Sequence, residues 1–524
     1  MISSEGRKQK AADLLVVLRS RGIKVWRDSG GLRYQAPRGL LTQDDLEKLG
    51  EMKADLIELL RQLSSDEVVE QQIAPRLPSD RVPLTFSQQL WWSCLQLEKR
   101  PSTRSIAGAL RLTGPLNVVF LQKCFSDLVR RHESLRTRIV VAEGVPRQVI
   151  DEPIEYQLDV SDLSRLSNGE QIGGITKLLE RIIYEPVPVE AGPLFATSLV
   201  KLSDEGHVLI VAMDHIISDV ASLGIVWHEI FTMYGQSVRG LPCSPPNTSV
   251  QFADYAVWQQ RTNQNWVKQH DAYWKKRLIA GKRLRPLGRD AMQEGIHVSW
   301  KRQPIRFGEG LSKRLRALGR ENKTSCAIVT LASYMAFLLR WCDVAELIVA
   351  FISIGRHHAE VEKTIGYFGG PLYLRVETAE GDRFLDLLTR VTREYSIAYE
   401  HSDCGRVAAG KPTPEFAWNP RFNWIPEELN TSNYDINGLE SNISLKVEPY
   451  RLEDLAGSNI EWDGDLEMVA SEGSDGLSGF LVYRTDRFAA QSIERFARSF
   501  ELFTEQLVRQ PGAPLPISSL APER

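Results

Sequence analysis

VAMDHIISDVASLG, residues 211–224, decides how the rest of the chain is read. Residues 209–213 are apolar or small and continuous, the pattern of a buried strand. The run breaks into Asp214-His215-Ile216-Ile217-Ser218-Asp219, and an apolar, helix-like stretch follows at 223–231. A histidine just past a strand end, four residues before a carboxylate, has the form of a base with an orienting group beside it. Imidazole titrates near neutrality, so it can take a proton from a nucleophile and return it. The same residues also fit a plainer reading, in which His215, one of 9 histidines, fills a hydrogen-bonding niche. The neighbours of the stretch, not the stretch alone, separate the two.

Composition narrows the field. A chain of 524 residues exceeds one core and suggests about three domains. Its 43% hydrophobic and 25% charged content are those of a soluble globular protein. A net charge of −3 argues against a dedicated nucleic-acid binder and gives no sign of attraction to an anionic membrane. The 6 cysteines are scattered with no CxxC pair, which excludes the common zinc spacings and fits reduced thiols in a cytoplasmic protein. No metal site is expected, His357 and His358 having no third ligand at a helpful spacing. The N-terminus lacks the continuous apolar segment of a signal peptide. The longest apolar stretch, 326–342, is interrupted by Ser333, Tyr334 and Arg340 and reads as a core helix, not a membrane span.

Residues 1–63 read as a separate small module. A short amphipathic helix over 11–21 ends at Gly22. Two alternating segments, 23–26 and 32–34, are joined by Asp28-Ser29-Gly30-Gly31, a hairpin signature. Two further helices follow, parted at Gly50, the second with Leu56, Leu59, Leu60 and Leu63 on one stripe. Residues 64–82 are polar, carry two prolines and read as a linker. From Pro83 onward strands alternate with helices, the mark of an α/β protein. Strands are expected at 106–112, 137–141, 195–201, 207–213, 347–353, 371–377 and 477–484. Helices are expected at 86–97, 116–132, 172–184, 221–235, 250–262, 310–321, 325–341, 383–400 and 491–509. A polar, Pro- and Lys-rich stretch around 262–290 divides an N-lobe, 83–265, from a C-lobe, 266–510. Residues 511–524 read as a linker to a following domain.

Six ordered motifs past residue 83 carry a family resemblance. They are PLTFSQQLW from Pro83, RHESLRT from Arg131, DHIISDV from Asp214, FADYAVW from Phe252, Gly355-Arg356 with IGYF from Ile365, and Phe422-Asn423-Trp424. Together they resemble the condensation domain of nonribosomal peptide synthetases, alone or in hybrid polyketide/peptide systems, over roughly 83–510. The first module, chiefly IKVW and GGLRYQAP, resembles the N-terminal docking domains of such synthetases, of the tubulysin-synthetase type. The resemblance implies a two-lobed, V-shaped α/β fold of the chloramphenicol-acetyltransferase kind, behind a small α/β docking module. It implies a tunnel between the lobes, entered from each end by the phosphopantetheine arm of a carrier protein, upstream and downstream. An acyl thioester on one arm is attacked there by the amine of an aminoacyl thioester on the other. Nothing is expected to be tightly bound as a cofactor.

By the same resemblance His215 is the catalytic residue, which positions the amine, takes its proton or stabilises charge. Asp219 is expected to fix loop geometry through a buried arginine, with Arg136 and Arg356 as candidates, because a buried carboxylate needs such a partner. Ser222, Gly369, Gly370, Asn423 and Trp424 are candidates for the tunnel lining. The hairpin residues Lys24, Trp26, Arg27, Arg33, Tyr34 and Arg38 are expected to receive the C-terminal tail of an upstream subunit.

The chain departs from the family's HHxxxDG motif at two positions, with Asp214 for the first histidine and Val220 for the glycine. Asp214, Asp219 and Ser222 also satisfy DxxxxDxxS, the motif of the related heterocyclization domains. The flanking motifs are of condensation type, and adjacent strand residues point to opposite faces. Asp214 is therefore expected to face the lobe interior if His215 faces the tunnel. A catalytically altered domain that only docks partners is the third reading.

Overall fold

The structure is a computed structural model. It describes residues 11, 14, 18, 23–28, 31–35, 43–63, 73–78, 81–97, 105–184, 187–242, 250–261, 272–274, 300–356, 358–402, 420–425, 445–450, 465–473 and 476–515. The N-terminal module is a hairpin, β1 (Lys24–Asp28) and β2 (Gly31–Gln35), followed by helices α1 (Gln43–Glu51) and α2 (Lys53–Leu63). Asp28 pairs with Gly31, so the turn is the two-residue Ser29-Gly30 connection. Ala11, Leu14, Leu18, Ile23, Val25, Leu49 and Leu56 form its small core. Gly50 lies inside α1, and the break between the two helices falls at Met52.

Beyond the module come α3 (Phe86–Leu97), β3 (Ser105–Thr113), α4 (Val118–Arg131), β4 (Thr137–Ala142), β5 (Val145–Ile150) and β6 (Asp159–Asp162). They are followed by α5 (Asn168–Tyr184), β7 (Phe195–Lys201), β8 (Gly206–Asp214), α6 (Val220–Val238) and α7 (Phe252–Arg261). The second half supplies β9 (Trp300–Arg306), α8 (Glu309–Glu321), α9 (Cys326–Trp341), β10 (Glu346–Ser353), β11 (Gly370–Glu377) and α10 (Phe384–Glu400). It closes with β12 (Arg421–Ile425), β13 (Lys446–Pro449), β14 (Leu466–Gly473), β15 (Gly476–Arg484) and α11 (Ala490–Arg509).

Two mixed sheets anchor two lobes. The first has the order β13-β3-β8-β7-β6 and the second β11-β10-β12-β14-β15-β9. β8 is the middle strand of the first sheet, and from His207 to Asp214 every residue is buried. Both of its faces are covered, which is why it reads as an unbroken apolar run and not as an alternation. Leu209, Val211 and Met213 pack with α4 and α6 through Phe125, Leu223 and Trp227. Val208 and Ile210 pack on the other side with Ile175 and Leu179 of α5. The second sheet packs on α9, whose residues from Ile328 to Leu339 are all buried, so the long apolar stretch is a core helix. Burial pushes the thiols of Cys326 and Cys342 up to about 12, so they stay protonated. Among the described residues no single helix is long and apolar enough to cross a membrane.

Two segments tie the halves together. β13 comes from the second half of the chain yet pairs with β3 at the edge of the first sheet. Residues 73–78, within the stretch expected to be a linker, are packed: Ile73 is buried with Val250, Phe252, Tyr255, Val361 and Phe368. Arg76 bridges Glu133 (2.9 Å) and Asp254 (2.8 Å).

Candidate active site

The strand β8 delivers the chain into a tight turn, and nearly every polar group of that turn is bonded. Asp214 is buried, and its Oδ1 accepts the Ile216 N–H at 2.9 Å. Its carbonyl accepts from the Ser218 hydroxyl (2.9 Å) and the Ile217 N–H (3.1 Å). From outside the turn, Gln88 of α3 donates from Nε2 to the Ile216 carbonyl at 2.8 Å. Gln88 is itself fixed by Thr85, whose N–H donates to Oε1 (2.9 Å) while its Oγ1 accepts the Gln88 N–H (3.2 Å). That reciprocal pair is a capping box at the start of α3.

His215 is the half-buried member of this turn. Its Nδ1 lies 2.7 Å from the Ser218 carbonyl oxygen. A carbonyl can only accept, so Nδ1 carries the proton and Nε2 presents a lone pair. The orienting group is thus the Ser218 backbone, three residues on, and not the Asp219 carboxylate expected from the spacing. Trp91 and Tyr367 flank the imidazole, with ring centroids 5.1 Å and 4.5 Å away.

Asp219 works on the next element. It caps α6, its Oδ1 accepting the Ser222 N–H at 2.8 Å and lying 2.8 Å from the Ser222 hydroxyl. Its Oδ2 accepts from Arg356 Nη1 at 2.6 Å and from the Phe368 N–H at 3.3 Å. Arg356 Nη2 reaches Ser222 Oγ (3.2 Å) and the Thr364 carbonyl (3.1 Å), and its guanidinium lies over the Phe368 ring at 4.7 Å. Of the two candidate arginines, Arg356 holds Asp219. Arg136 instead donates to the Asp151 carbonyl beside the β4–β5 hairpin, an exposed contact.

The loop that carries Arg356 is shaped by close approach. Gly355 has φ +68°, and a Cβ there would fall 2.0 Å from the Phe368 carbonyl oxygen. A Cβ on Gly366 would sit 2.2 Å from the Phe252 ring, so the glycine lets the loop lie against α7. Ser134 Oγ donates to the Ile365 carbonyl (2.7 Å) and Thr364 Oγ1 to the Val250 carbonyl (3.1 Å). His132 is buried, 2.9 Å from Glu229, and caps the C-terminus of α4. His358 lies edge-on to Trp258, and His401 stacks on Tyr273. Among the described residues no group of three or more His, Cys, Asp or Glu is placed to hold a metal ion.

Thus His215, Asp214, Asp219, Ser222 and Arg356 are brought together. Gly370 opens β11 opposite Ser353, and Gly369 before it is buried. Asn423 pairs with Ile352 on β10, and Trp424 packs against the second lobe's core. Sequence reasoning missed Gln88, Ser218, Trp91 and Thr364. The Thr85-x-x-Gln88 spacing signals the cap but not the bond to Ile216.

Residues 79–524 match the Condensation domain family. The chain belongs to the condensation-domain family. Residues 12–62 match the TubC N-terminal docking domain. This condensation domain is similar to part of the linear gramicidin synthase of Brevibacillus parabrevis, 28% identical over 518 residues, 97% of this chain and 10% of that protein. It is also similar to surfactin synthase subunit 1 of Bacillus subtilis (strain 168), 27% identical over 461 residues, 84% of this chain and 12% of that one. The chain therefore spans about a tenth of the length of these synthetases. Its fold is like that of the X-domain from teicoplanin biosynthesis, TM-score 0.71 at 21% identity, covering 84% of this chain and 98% of the X-domain. It is also like that of the first condensation domain of the calcium-dependent antibiotic synthetase, TM-score 0.65 at 18% identity, covering 83% and 99%. These likenesses carry the two-lobed α/β fold of the chloramphenicol-acetyltransferase kind.

The condensation domain's Asp219 holds a helix cap and a buried cation at once. Asp219→Ala strands Arg356, and breaking a buried pair by removing one partner costs about 3–5 kcal/mol. Its thermal midpoint, followed by circular dichroism, is expected to fall by on the order of 10 °C, at about 2–4 °C per kcal/mol. An unchanged midpoint would remove Asp219 from the architecture.

Proposed function

We propose that this domain joins an upstream carrier-bound acyl or peptidyl thioester to the amine of a downstream carrier-bound aminoacyl thioester, with His215 at the centre. The observation that carries this is the bond from His215 Nδ1 to the Ser218 carbonyl, which leaves Nε2 as the acceptor on a half-buried ring. The amine nitrogen attacks the thioester carbon and the C–S bond breaks. The amine's proton passes to Nε2 and then to the departing sulfur, giving an amide and a free pantetheine thiol. A thioester is already activated, so alignment of the two arms supplies much of the rate, on the order of 7–11 kcal/mol for well-placed reactants. The arms belong to the partner carrier proteins and act as substrates' tethers. Cys326 and Cys342, whose thiols are not in disulfides, support a reducing, cytoplasmic setting.

Heterocyclization would need Asp214, Asp219 and Ser222 to be available to substrate. All three are buried, with Asp214 on the Ile216 N–H and the other two in the α6 cap and the Arg356 cluster. This favours condensation. In single-turnover assays with two loaded carriers, His215→Ala is expected to slow amide formation by roughly 10²-fold or more. Asp214→Asn is expected to keep much of the activity, since an amide oxygen can still accept from Ile216. Loss of turnover in a stable Asp214→Asn, or a product lighter by one water, would favour cyclization. Near-parental activity in a folded His215→Ala would favour the docking-only reading.

We further propose that the N-terminal module receives an acidic C-terminal tail of an upstream subunit along the hairpin. Between Ile23 and Arg38 there are four basic residues, Lys24, Arg27, Arg33 and Arg38, against Asp28, a net +3. Tyr34 is exposed, and among the described residues β1 and β2 pair only with each other, leaving edges that can accept a strand. The side chains of Lys24, Trp26, Arg27 and Arg33, and all of Arg38, lie outside the described residues. Binding of the cognate tail to the full chain is expected to be weak and to fall as salt rises, because exposed charges are screened beyond about 8–10 Å. Affinity indifferent to salt in a fluorescence-anisotropy titration would reject the charge argument.

A further inference from the structure

One face of α3 meets the His215 turn at two points three residues apart. Gln88 grips the backbone through the Ile216 carbonyl at 2.8 Å. Trp91, one turn later, places its ring 5.1 Å from the imidazole. Residues i and i+3 share a helix face, so the clamp on the turn and the wall beside the ring come from one element. The Trp91 ring is 9% exposed and packs among Leu84, Ile139, Ile216 and Ile217. Those contacts are apolar and account for a large ring at this place. They do not account for an indole. Trp91 Nε1 is fully buried and has no hydrogen-bond partner among the described residues. Buried tryptophan N–H groups ordinarily find an acceptor, and an unpaired one carries a desolvation cost that a phenyl ring would avoid.

We propose that the Trp91 indole N–H donates to an oxygen of the bound substrate beside His215, namely the thioester carbonyl oxygen that gains charge as the amine adds. This rests on the proposed function for the identity of that oxygen. A donor fixed before reaction in a dry wall binds the developing oxyanion more strongly than the carbonyl it comes from, so it acts on the rate. His215 Nε2 takes the amine's proton, and Trp91 keeps its own throughout. The two groups divide the work: one handles the proton and the other the charge on oxygen. Trp91 is then a catalytic residue in its own right, and Gln88 a positioning residue on the same helix face.

Two measurements on the full chain test this. In single-turnover amide formation, Trp91→Phe keeps an aromatic ring and removes the donor; a fall of about 10²-fold at an unchanged thermal midpoint is expected, the scale of one lost oxyanion donor. The parental rate in a folded Trp91→Phe would overturn the proposal. Separately, tryptophan indoles labelled with ¹⁵N are titrated with a non-reactive amide analogue of an acyl-pantetheine thioester. The Trp91 signal is assigned by its loss in Trp91→Phe or Trp91→Leu. A downfield move of that proton is expected, and a signal that stays in place throughout the titration would overturn the proposal. If the parent chain forms no amide, the functional reading fails, and the indole titration alone decides the role of Trp91.

Discussion

The carboxylate of Asp219 is shared between two parts of the molecule that are far apart in sequence. One oxygen closes the first turn of α6, and the other holds Arg356 and the Phe368 N–H from the loop between β10 and β11. Both partners of the ion pair are nearly excluded from solvent, so neither tolerates the loss of the other. Ser222 joins the same cluster, its hydroxyl lying 2.8 Å from Asp219, 3.0 Å from the Gly366 carbonyl and 3.1 Å from the Gly366 nitrogen. The start of α6 is thereby pinned, and with it the turn that ends one residue earlier. His215 is oriented by Ser218, the residue just before that cap. The chemistry of the ring thus depends on a bond that never touches it.

The departures from the family motif are explained by the same turn. Position 214 asks for a group that accepts the Ile216 N–H from within the lobe, and an aspartate does this through Oδ1. Position 220 is the first residue of α6 and is exposed. A valine stands there in helical backbone without strain, so the glycine of the motif is not demanded by conformation. The catalytic geometry survives both changes because the groups that fix His215 are mostly backbone.

Much of the fold was legible in the residues. The strand at 207–213, the helices at 86–97 and 491–509 and the hairpin of the first module follow from period and punctuation. Buried apolar runs and amphipathic stripes leave clear marks. What was missed lacks such marks. β5, with Arg147 and Gln148, and β9, with Lys301, Arg302 and Gln303, are largely polar, as edge strands are. β13 pairs with β3 more than three hundred residues away, and nothing local in Lys446–Pro449 announces it. The polar stretch at 73–78 reads as a linker by composition. It is held by one buried isoleucine and one doubly paired arginine, Ile73 and Arg76. The site shows the same division: side-chain identities marked His215, Asp219 and Arg356. The choice of Arg356 over Arg136, and the carbonyls that Ser218 and Ile216 offer, are set by tertiary contact alone.

The central claim is that the turn delivers His215 with Nδ1 protonated and Nε2 bare. The direct measurement is the tautomer of that ring in the full chain, read from long-range ¹H–¹⁵N correlations of histidine-labelled protein. The signals are assigned by their loss in His215→Ala and followed above the ring's titration. The account predicts the neutral Nδ1–H tautomer. A neutral ring protonated on Nε2 would contradict it.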